Sequence, residues 1–372
     1  MQEGESVSDS LRERLGAVRD VLLVRSLAEL GFVGAVDEAA NMAELVVPVT
    51  NWPMADDIEA AWREIAPGLA ITRRTMTDEG RFELRSVLRR AMAGEAGPGH
   101  HDHSEPGPRL LDRHSTTRIL GISSGKGGVG KSSVTINLAI ALANLGHTVG
   151  VLDADVYGFS LPKMLGAPLD PIILGDTVIP TLAHGVRCLS MGYFVPDEQP
   201  VIWRGPMLHK AIEQLVTEAW WDEPDFLLID MPPGTGDVAL TLSEIVPKIE
   251  MYVVTTPQAA AQRVAQRSAY AARKLKLAVR GVIENMSWFT GDDGKRYEIF
   301  GAGGGAALAS DLGVPLLGQV PLDTRLREGG DNGAPIMVSA PTSEVAQAFN
   351  ALAATIAAQG PARVYRRELK LV

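Results

Sequence analysis

From residue 118 onward, short apolar runs alternate with longer stretches in which apolar residues recur every three or four positions. The apolar runs predict strands over 119–122, 149–152, 186–191, 226–230, 251–256, 278–284 and 316–320. The spacing of Val134, Leu138, Leu142 and Leu145 predicts a helix that Gly146 stops. Further helices are predicted over 207–219, 259–276, 305–312 and 343–358. Strand–helix alternation of this kind implies an α/β fold, a mainly parallel sheet with helices on both faces.

The chain before 118 patterns differently. Leu11, Leu15, Val18 and Leu22 are spaced as one helix face. A strand is expected over 44–50, with helices over 56–65 and 81–92, so residues 1–92 read as a small α+β domain. Residues 93–117 are rich in Gly, Pro and polar side chains and read as a flexible linker, leaving 118–372 as the larger domain. His100, His101 and His103 cluster in that linker, where histidines more often take up metal adventitiously than form a site.

Between the first strand and the first helix of the larger domain lies Gly125-Lys126-Gly127-Gly128-Val129-Gly130-Lys131-Ser132-Ser133. It fills every fixed position of G-x-x-x-x-G-K-[ST]. Glycine lets the backbone turn tightly and aim successive N–H groups at a phosphate, and the following helix adds the positive end of its dipole. Lys131 supplies a mobile charge for the outer phosphates, and the Ser132 hydroxyl a hard oxygen for Mg²⁺. This is a nucleotide phosphate site.

Acids end the neighbouring strands. Asp230 closes Phe226-Leu227-Leu228-Ile229, a dry strand whose terminal carboxylate suits Mg²⁺ held through water. Gly234, in Met231-Pro232-Pro233-Gly234-Thr235-Gly236-Asp237, lets its N–H approach a γ-phosphate. Asp153 and Asp155 stand two apart and point to one side; the same acids also suit turn caps. Asn285 offers an amide donor and acceptor together, which suits a purine edge, although Asn285 and Asp323 are equally turn formers.

Composition narrows the field. Of 372 residues, 46% are hydrophobic and 22% charged, ordinary for a globular chain with a sizeable core. The net charge of −10 argues against nonspecific nucleic-acid or anionic-membrane binding as the main task. The acidic start, Met1 to Ser10, lacks the apolar core of a signal peptide, and no run approaches the about 18 apolar residues of a spanning helix. The single cysteine, Cys188, excludes an intramolecular disulfide, fits a reducing cytoplasm, and sits in an apolar strand pattern that reads as core.

The glycine loop with its early lysine, Lys126, resembles the deviant P-loop ATPases, the group that includes MinD, ParA, the nitrogenase iron protein and the Mrp/ApbC carriers. Trp203-Arg204-Gly205-Pro206, the run from Asp225 to Asp237, and Glu284-Asn285-Met286-Ser287 are similar to the Mrp carriers in particular. That resemblance implies ATP and Mg²⁺ as cofactors and a homodimer in which Lys126 reaches the partner's nucleotide. It implies that Lys126, Lys131 and Asp155 are catalytic, Asp155 placing or deprotonating the attacking water. Ser132, Asp153 and Asp230 would serve Mg²⁺, and Asn285 the adenine edge, with Pro321 and Asp323 beside the base. The cargo it implies is an iron–sulfur cluster, with apoprotein clients or cluster-assembly proteins as partners. The N-terminal domain resembles the small MIP18-like domain found ahead of many Mrp carriers, without the cysteine usual there: the segment reads Thr50-Asn51-Trp52-Pro53-Met54-Ala55.

In most Mrp carriers a Cys-x-x-Cys follows the asparagine motif. Here the segment is Gly291-Asp292-Asp293-Gly294, a turn whose carboxylates suit Mg²⁺ or solvent better than iron–sulfur clusters. Two other readings therefore stand beside the carrier: an ATP-dependent scaffolding switch without a cluster, and a MinD- or ParA-like positioning ATPase. The tail from Arg363 to Val372 is basic and partly apolar but short for stable interfacial membrane binding.

Overall fold

In a computed structural model the chain is described for residues 10–93, 109–111, 115–156, 158–167, 170–194, 205–234, 237–246 and 248–362. The linker histidines, Trp203, Arg204, Thr235, Gly236 and the tail 363–372 lie outside the described residues. Two compact units emerge: Met1–Arg109 with Ile173–Val178, and Leu110–Ile172 with Ile179–Val372.

The first unit holds α1 (Leu11–Ala17), β1 (Val33–Asp37), β2 (Met42–Val47), α2 (Ala55–Ile65), β3 (Ala70–Thr75) and α3 (Asp78–Ala93). The sheet runs β1-β2-β3, antiparallel then parallel. A Ser10–Glu13 capping box starts α1. The helix stops before Val18, shorter than the spacing of Val18 and Leu22 predicts. Asp20 explains the stop: its carboxylate accepts the Leu23 N–H at 2.7 Å and the Trp52 indole N–H at 2.7 Å, so the chain turns there. Leu22 still reaches the core, but from the turn. The expected strand 44–50 ends at Val47, before Pro48, which has no N–H for the ladder. Residues Ile173–Val178 join this unit although they lie far along the chain: Asp176 pairs with Arg89 on α3.

The second unit is built on a sheet of nine described strands. In chain order its elements are β4 (Arg118–Ser124), α4 (Lys131–Asn144), β5 (Val149–Asp153), α5 (Leu161–Leu165), β6 (Thr181–Ala183), β7 (Val186–Ser190), α6 (Gly205–Thr217), β8 (Phe226–Asp230) and α7 (Asp237–Ile245). These are followed by β9 (Glu250–Thr255), α8 (Ala259–Lys274), β10 (Ala278–Thr290), β11 (Arg296–Tyr297), α9 (Gly304–Leu312), β12 (Leu316–Leu322), α10 (Thr324–Asp331), α11 (Ile336–Ser339) and α12 (Glu344–Ala358). The order is β6-β7-β5-β8-β4-β9-β10-β11, with β12 also on β10. Only the β6–β7 and β10–β11 pairs are antiparallel. The central strands β4, β5, β7, β8 and β9 are buried along their whole length, as expected for a parallel sheet covered on both faces. Cys188 lies on β7 within that core.

One strand runs well past its predicted end. The apolar run predicts 278–284, but β10 continues to Thr290 because new partners await it, β12 on one side and the β11 hairpin on the other. The Gly291–Gly294 turn closes that hairpin, with Asp293 accepting the Lys295 N–H at 3.0 Å. Glu344, opening α12, pins it by accepting from Trp288 Nε1, Thr290 Oγ1 and Arg296 Nη2 at 3.2, 2.8 and 2.8 Å. Among the described residues, no helix is long and apolar enough to cross a membrane.

Candidate nucleotide site

Parallel strands deliver their C-terminal ends to one edge, where ligands of open α/β sheets sit. Here β4 ends at Ser124 and runs directly into the glycine loop, while β5 and β8 end side by side in Asp153 and Asp230, which are register partners. Adjacent strands therefore bring together carboxylates that are distant in the chain.

The loop turns into α4 at Gly130, which takes φ 79°, the left-handed region that favours glycine. Gly127 and Gly128 are exposed, with no atom near where a side chain would stand, so the loop is open on that side. At the loop's start the fit is tight: a Cβ on Gly125 would lie 2.2 Å from the Ala265 nitrogen of α8. Only glycine lets the loop seat against that helix.

Lys131 opens α4 and its ammonium reaches Asp230 Oδ2 at 2.5 Å, with Asp155 Oδ2 at 3.8 Å. The Ser132 hydroxyl donates to the same Asp230 oxygen at 2.6 Å, and Thr135 Oγ1 donates to Asp230 Oδ1 at 2.6 Å. Asp230 is fully buried, so this cation and these two hydroxyls satisfy a carboxylate that water cannot reach. Thr135 was not singled out from the sequence. The signal existed, since position i+4 of a helix faces the same way as Lys131. The Ser132–Asp230 pair is hard oxygen, suited to Mg²⁺. That ion takes one or two protein carboxylates and completes its shell with phosphate and water. Among the described residues there is no group of three or more His, Cys, Asp or Glu placed to hold a metal ion.

Asp153 is also fully buried, and its oxygens accept from the Asp155, Ser160 and Leu161 N–H groups and from Ser190 Oγ. Burial, then the neighbouring Asp230 charge, pushes its pKa up to about 7. The Gly234 N–H, expected to face a phosphate, is donated to the Ser124 carbonyl at 2.9 Å, tying its turn to the end of β4. Lys126 is half-buried, with Nζ 3.4 Å from Gln258 Oε1 at the head of α8.

Beside the loop opens a cavity of about 420 Å³. Gly130, Ser133, Asn285, Pro321 and Asp323 all line it, so residues that the sequence scatters over almost 200 positions converge on one hollow. Asn285 donates from Nδ2 to the Val129 carbonyl at 2.9 Å, while its Oδ1 is buried without a hydrogen-bond partner. A buried, unpartnered acceptor is costly and calls for a donor such as an exocyclic amine. Next to it, Met286 takes φ 58°, uncommon outside glycine, where the pairing of β10 with β12 slips register. Pro321 is buried in β12. Asp323 caps α10, accepting the Arg325 N–H at 2.8 Å, and the bonded Arg325 side chain holds its carboxyl below the usual range. The lining residues that the sequence reading missed include Lys163 and Met164 from α5 and Arg327 from α10. Nothing local marks them; only packing brings those short helices to the hollow.

A parallel-sheet fold with an open phosphate cradle, a lysine–carboxylate pair and an adjoining base-sized hollow defines a P-loop nucleotide-binding protein. Residues 115–357 match the family described as NUBPL iron-transfer P-loop NTPase, of the ParA group, and the chain belongs to that family. The iron-sulfur cluster carrier protein of Mycobacterium tuberculosis strain H37Rv is 40% identical over 359 residues, covering 92% of this chain and 91% of the relative. That of Deinococcus radiodurans is 38% identical over 358 residues, covering 95% of each. Among solved structures, an ADP complex of a nucleotide-binding protein from Archaeoglobus fulgidus is 31% identical with a TM-score of 0.53. It spans 61% of this chain and 90% of that one. MinD from Pyrococcus horikoshii with Mg-ADP is 28% identical with a TM-score of 0.50, over 64% and 96% of the chains.

Proposed function

We propose that this protein binds and hydrolyses Mg·ATP as a homodimer and uses the cycle in iron–sulfur cluster binding and transfer to apoproteins. The observation that carries the ATPase reading is the Lys131–Asp230–Ser132 cluster at the end of an open glycine loop. The cargo reading is supported by the likeness, along nearly the whole chain, to proteins named as cluster carriers.

Phosphoryl transfer asks the protein for position and charge rather than covalent chemistry. The loop amides from Gly125 to Ser133 bind the phosphates, and Lys131 turns from Asp230 to the outer phosphate oxygens. Ser132 and Asp230 supply the protein oxygens for Mg²⁺, which when bound neutralises charge developing on the transferred phosphoryl group. Asp155 stands near enough to Lys131 to orient a water toward the γ-phosphate. Asn285, with Pro321 and Asp323 beside it, holds the base, its free Oδ1 accepting from the amine. Lys126 serves the partner subunit's nucleotide.

The cargo's ligands are where the donor set departs from that reading. Clusters are held by cysteine thiolates, in some cases with histidine. The chain has one cysteine, and Cys188 is fully buried with its thiol pushed up by burial and by Asp153. This favours a second reading, a nucleotide-driven switch that engages cluster-assembly partners without holding the cluster on its own thiols. Anaerobic reconstitution with iron and sulfide, followed by transfer to an apoprotein and parallel ATPase assays, separates the two. Stoichiometric iron and acid-labile sulfide with delivery supports carriage. ATP turnover without either leaves the switch, and no uptake of ATP or ADP by calorimetry refutes both.

A further inference from the structure

Asp153 ends β5 beside Asp230, yet its carboxylate faces backbone. Oδ1 accepts the Asp155 N–H at 3.2 Å, and Oδ2 accepts the N–H groups of Ser160 at 2.9 Å and Leu161 at 3.1 Å. The Ser190 hydroxyl, at the end of neighbouring β7, donates to Oδ2 at 3.2 Å and is itself held by the Gly192 N–H at 3.0 Å. Three of these four hydrogen bonds fall on Oδ2 and one on Oδ1, so protein donors engage both oxygens of the carboxylate.

Those donors belong to two different parts of the site. Asp155 is on the phosphate side, near Lys131. Ser160 and Leu161 begin α5, whose Lys163 and Met164 line the same hollow as Asn285. Helix α5 is in turn locked to the end of α10: a Cβ on Gly166 would lie 2.1 Å from the Gly333 carbonyl oxygen, and Met164 packs on Gly330. A base that fills the hollow therefore touches a wall that one buried side chain joins to the hydrolytic acid.

We propose that Asp153 is a positioning residue that links occupation of the base hollow to the placement of Asp155, rather than a ligand of Mg²⁺. This rests on the Mg·ATP hydrolase reading above. A base seated against α5 steadies Ser160 and Leu161, and the shared carboxylate carries that order to the Asp155 backbone. ATP is then hydrolysed faster than a triphosphate with no base, and the advantage resides in kcat as well as KM.

The test is steady-state hydrolysis of ATP and of inorganic tripolyphosphate by the full chain, wild type, Asp153→Asn and Ser190→Ala, each across a Mg²⁺ titration. Asparagine cannot accept all four hydrogen bonds, and hydrogen bonds to a charged acceptor are the strong ones, so kcat for ATP should fall about tenfold or more. Tripolyphosphate turnover, which draws nothing from the base hollow, should fall by clearly less, so that the kcat ratio of the two substrates drops. The Mg²⁺ half-saturation should be unchanged. Ser190→Ala, which removes one donor and leaves the charge, should shift the ratio the same way by less, and it serves if Asp153→Asn folds poorly. A Mg²⁺ half-saturation raised about tenfold for both substrates would make Asp153 a metal ligand and overturn the proposal. An unchanged ratio in both variants would overturn it alone, whereas a wild type inactive on ATP would bring down the hydrolase reading and this one together.

Discussion

Replacing Lys131 with methionine removes the cation from a pair that is 2.5 Å apart, with 7% of the lysine side chain and 1% of the aspartate side chain exposed. At an effective dielectric of about 20 the gross attraction at that distance is about 7 kcal/mol. Desolvation of both groups takes back much of it, and removal of one partner of a buried pair typically costs about 3–5 kcal/mol because the other is stranded. The Ser132 and Thr135 hydroxyls still satisfy Asp230 on both oxygens, which places Lys131→Met near the lower end, about 3 kcal/mol. Asp230→Asn alone leaves the lysine only the more distant Asp155, at 3.8 Å, and forces the hydroxyls to reorient, at up to about the same cost. The double variant strands neither charge. It should recover about 2 kcal/mol relative to the sum of the singles. Amide hydrogen exchange at α4 and β8, without nucleotide or Mg²⁺, reads this unit separately from the first; 3 kcal/mol corresponds to about a hundredfold faster exchange. Additive single effects, within about 0.5 kcal/mol, would show that the lysine does not rest on Asp230 and would refute the reasoning.

Lys126→Ala should leave ATP affinity within about threefold while lowering turnover about tenfold or more, because its charge is read in catalysis rather than in binding; unchanged turnover counts against the role across subunits. Asn285→Ala should weaken ATP by about 5- to 15-fold in calorimetry without changing tripolyphosphate affinity, since only the base loses an acceptor; equal losses for both ligands would sink the base assignment. Gly130→Ala meets both a φ of 79° and Asn285 Nδ2 at 2.3 Å, so ATP binding should fall more than about tenfold. Gly146→Ala, with φ 92° and open space around it, should cost stability alone, and nucleotide loss in both would mean backbone strain at the loop is not the cause. Burial raises the Glu344 carboxyl, but hydrogen bonds from Thr290, Trp288 and Arg296 outweigh it and leave the pKa below the usual glutamate value. Its hold on the hairpin is therefore present above the unfolded glutamate pKa and lost as pH falls through the folded one. The Trp288 indole N–H resonance should follow that titration, and a resonance indifferent to acid would refute the contact.

The phosphate loop could be read outright because its chemistry is local. Gly125 to Ser133 must carry glycines and a lysine at fixed spacing whatever surrounds them. The strand ends were nearly as legible: β8 runs over Phe226–Asp230 as the apolar run predicts, since a strand buried on both faces admits nothing else. Reading weakened where partners decide. Periodicity carried the first helix on to Leu22, but Asp20 captures the chain at Leu23 and turns it. Nor could pattern tell that Ile173–Val178 belongs with the N-terminal unit.

The sequence by itself determined the class of fold and the P-loop, and it singled out Lys131, Ser132 and Asp230 as the proposed phosphate and Mg²⁺ chemistry, because each follows from backbone period or side-chain type over a few consecutive residues. It also determined the shortage of cluster ligands, since a chain with one cysteine has one thiolate wherever it folds. Tertiary structure decided that Thr135, one turn beyond Lys131, reaches Asp230, that Asp153 Oδ2 accepts from Ser160 and Leu161, and that Lys163, Met164 and Arg327 wall the hollow with Asn285. Those relations depend on which strands lie side by side and which short helices pack together. Both are set by the burial of the whole core, which no local stretch of sequence records.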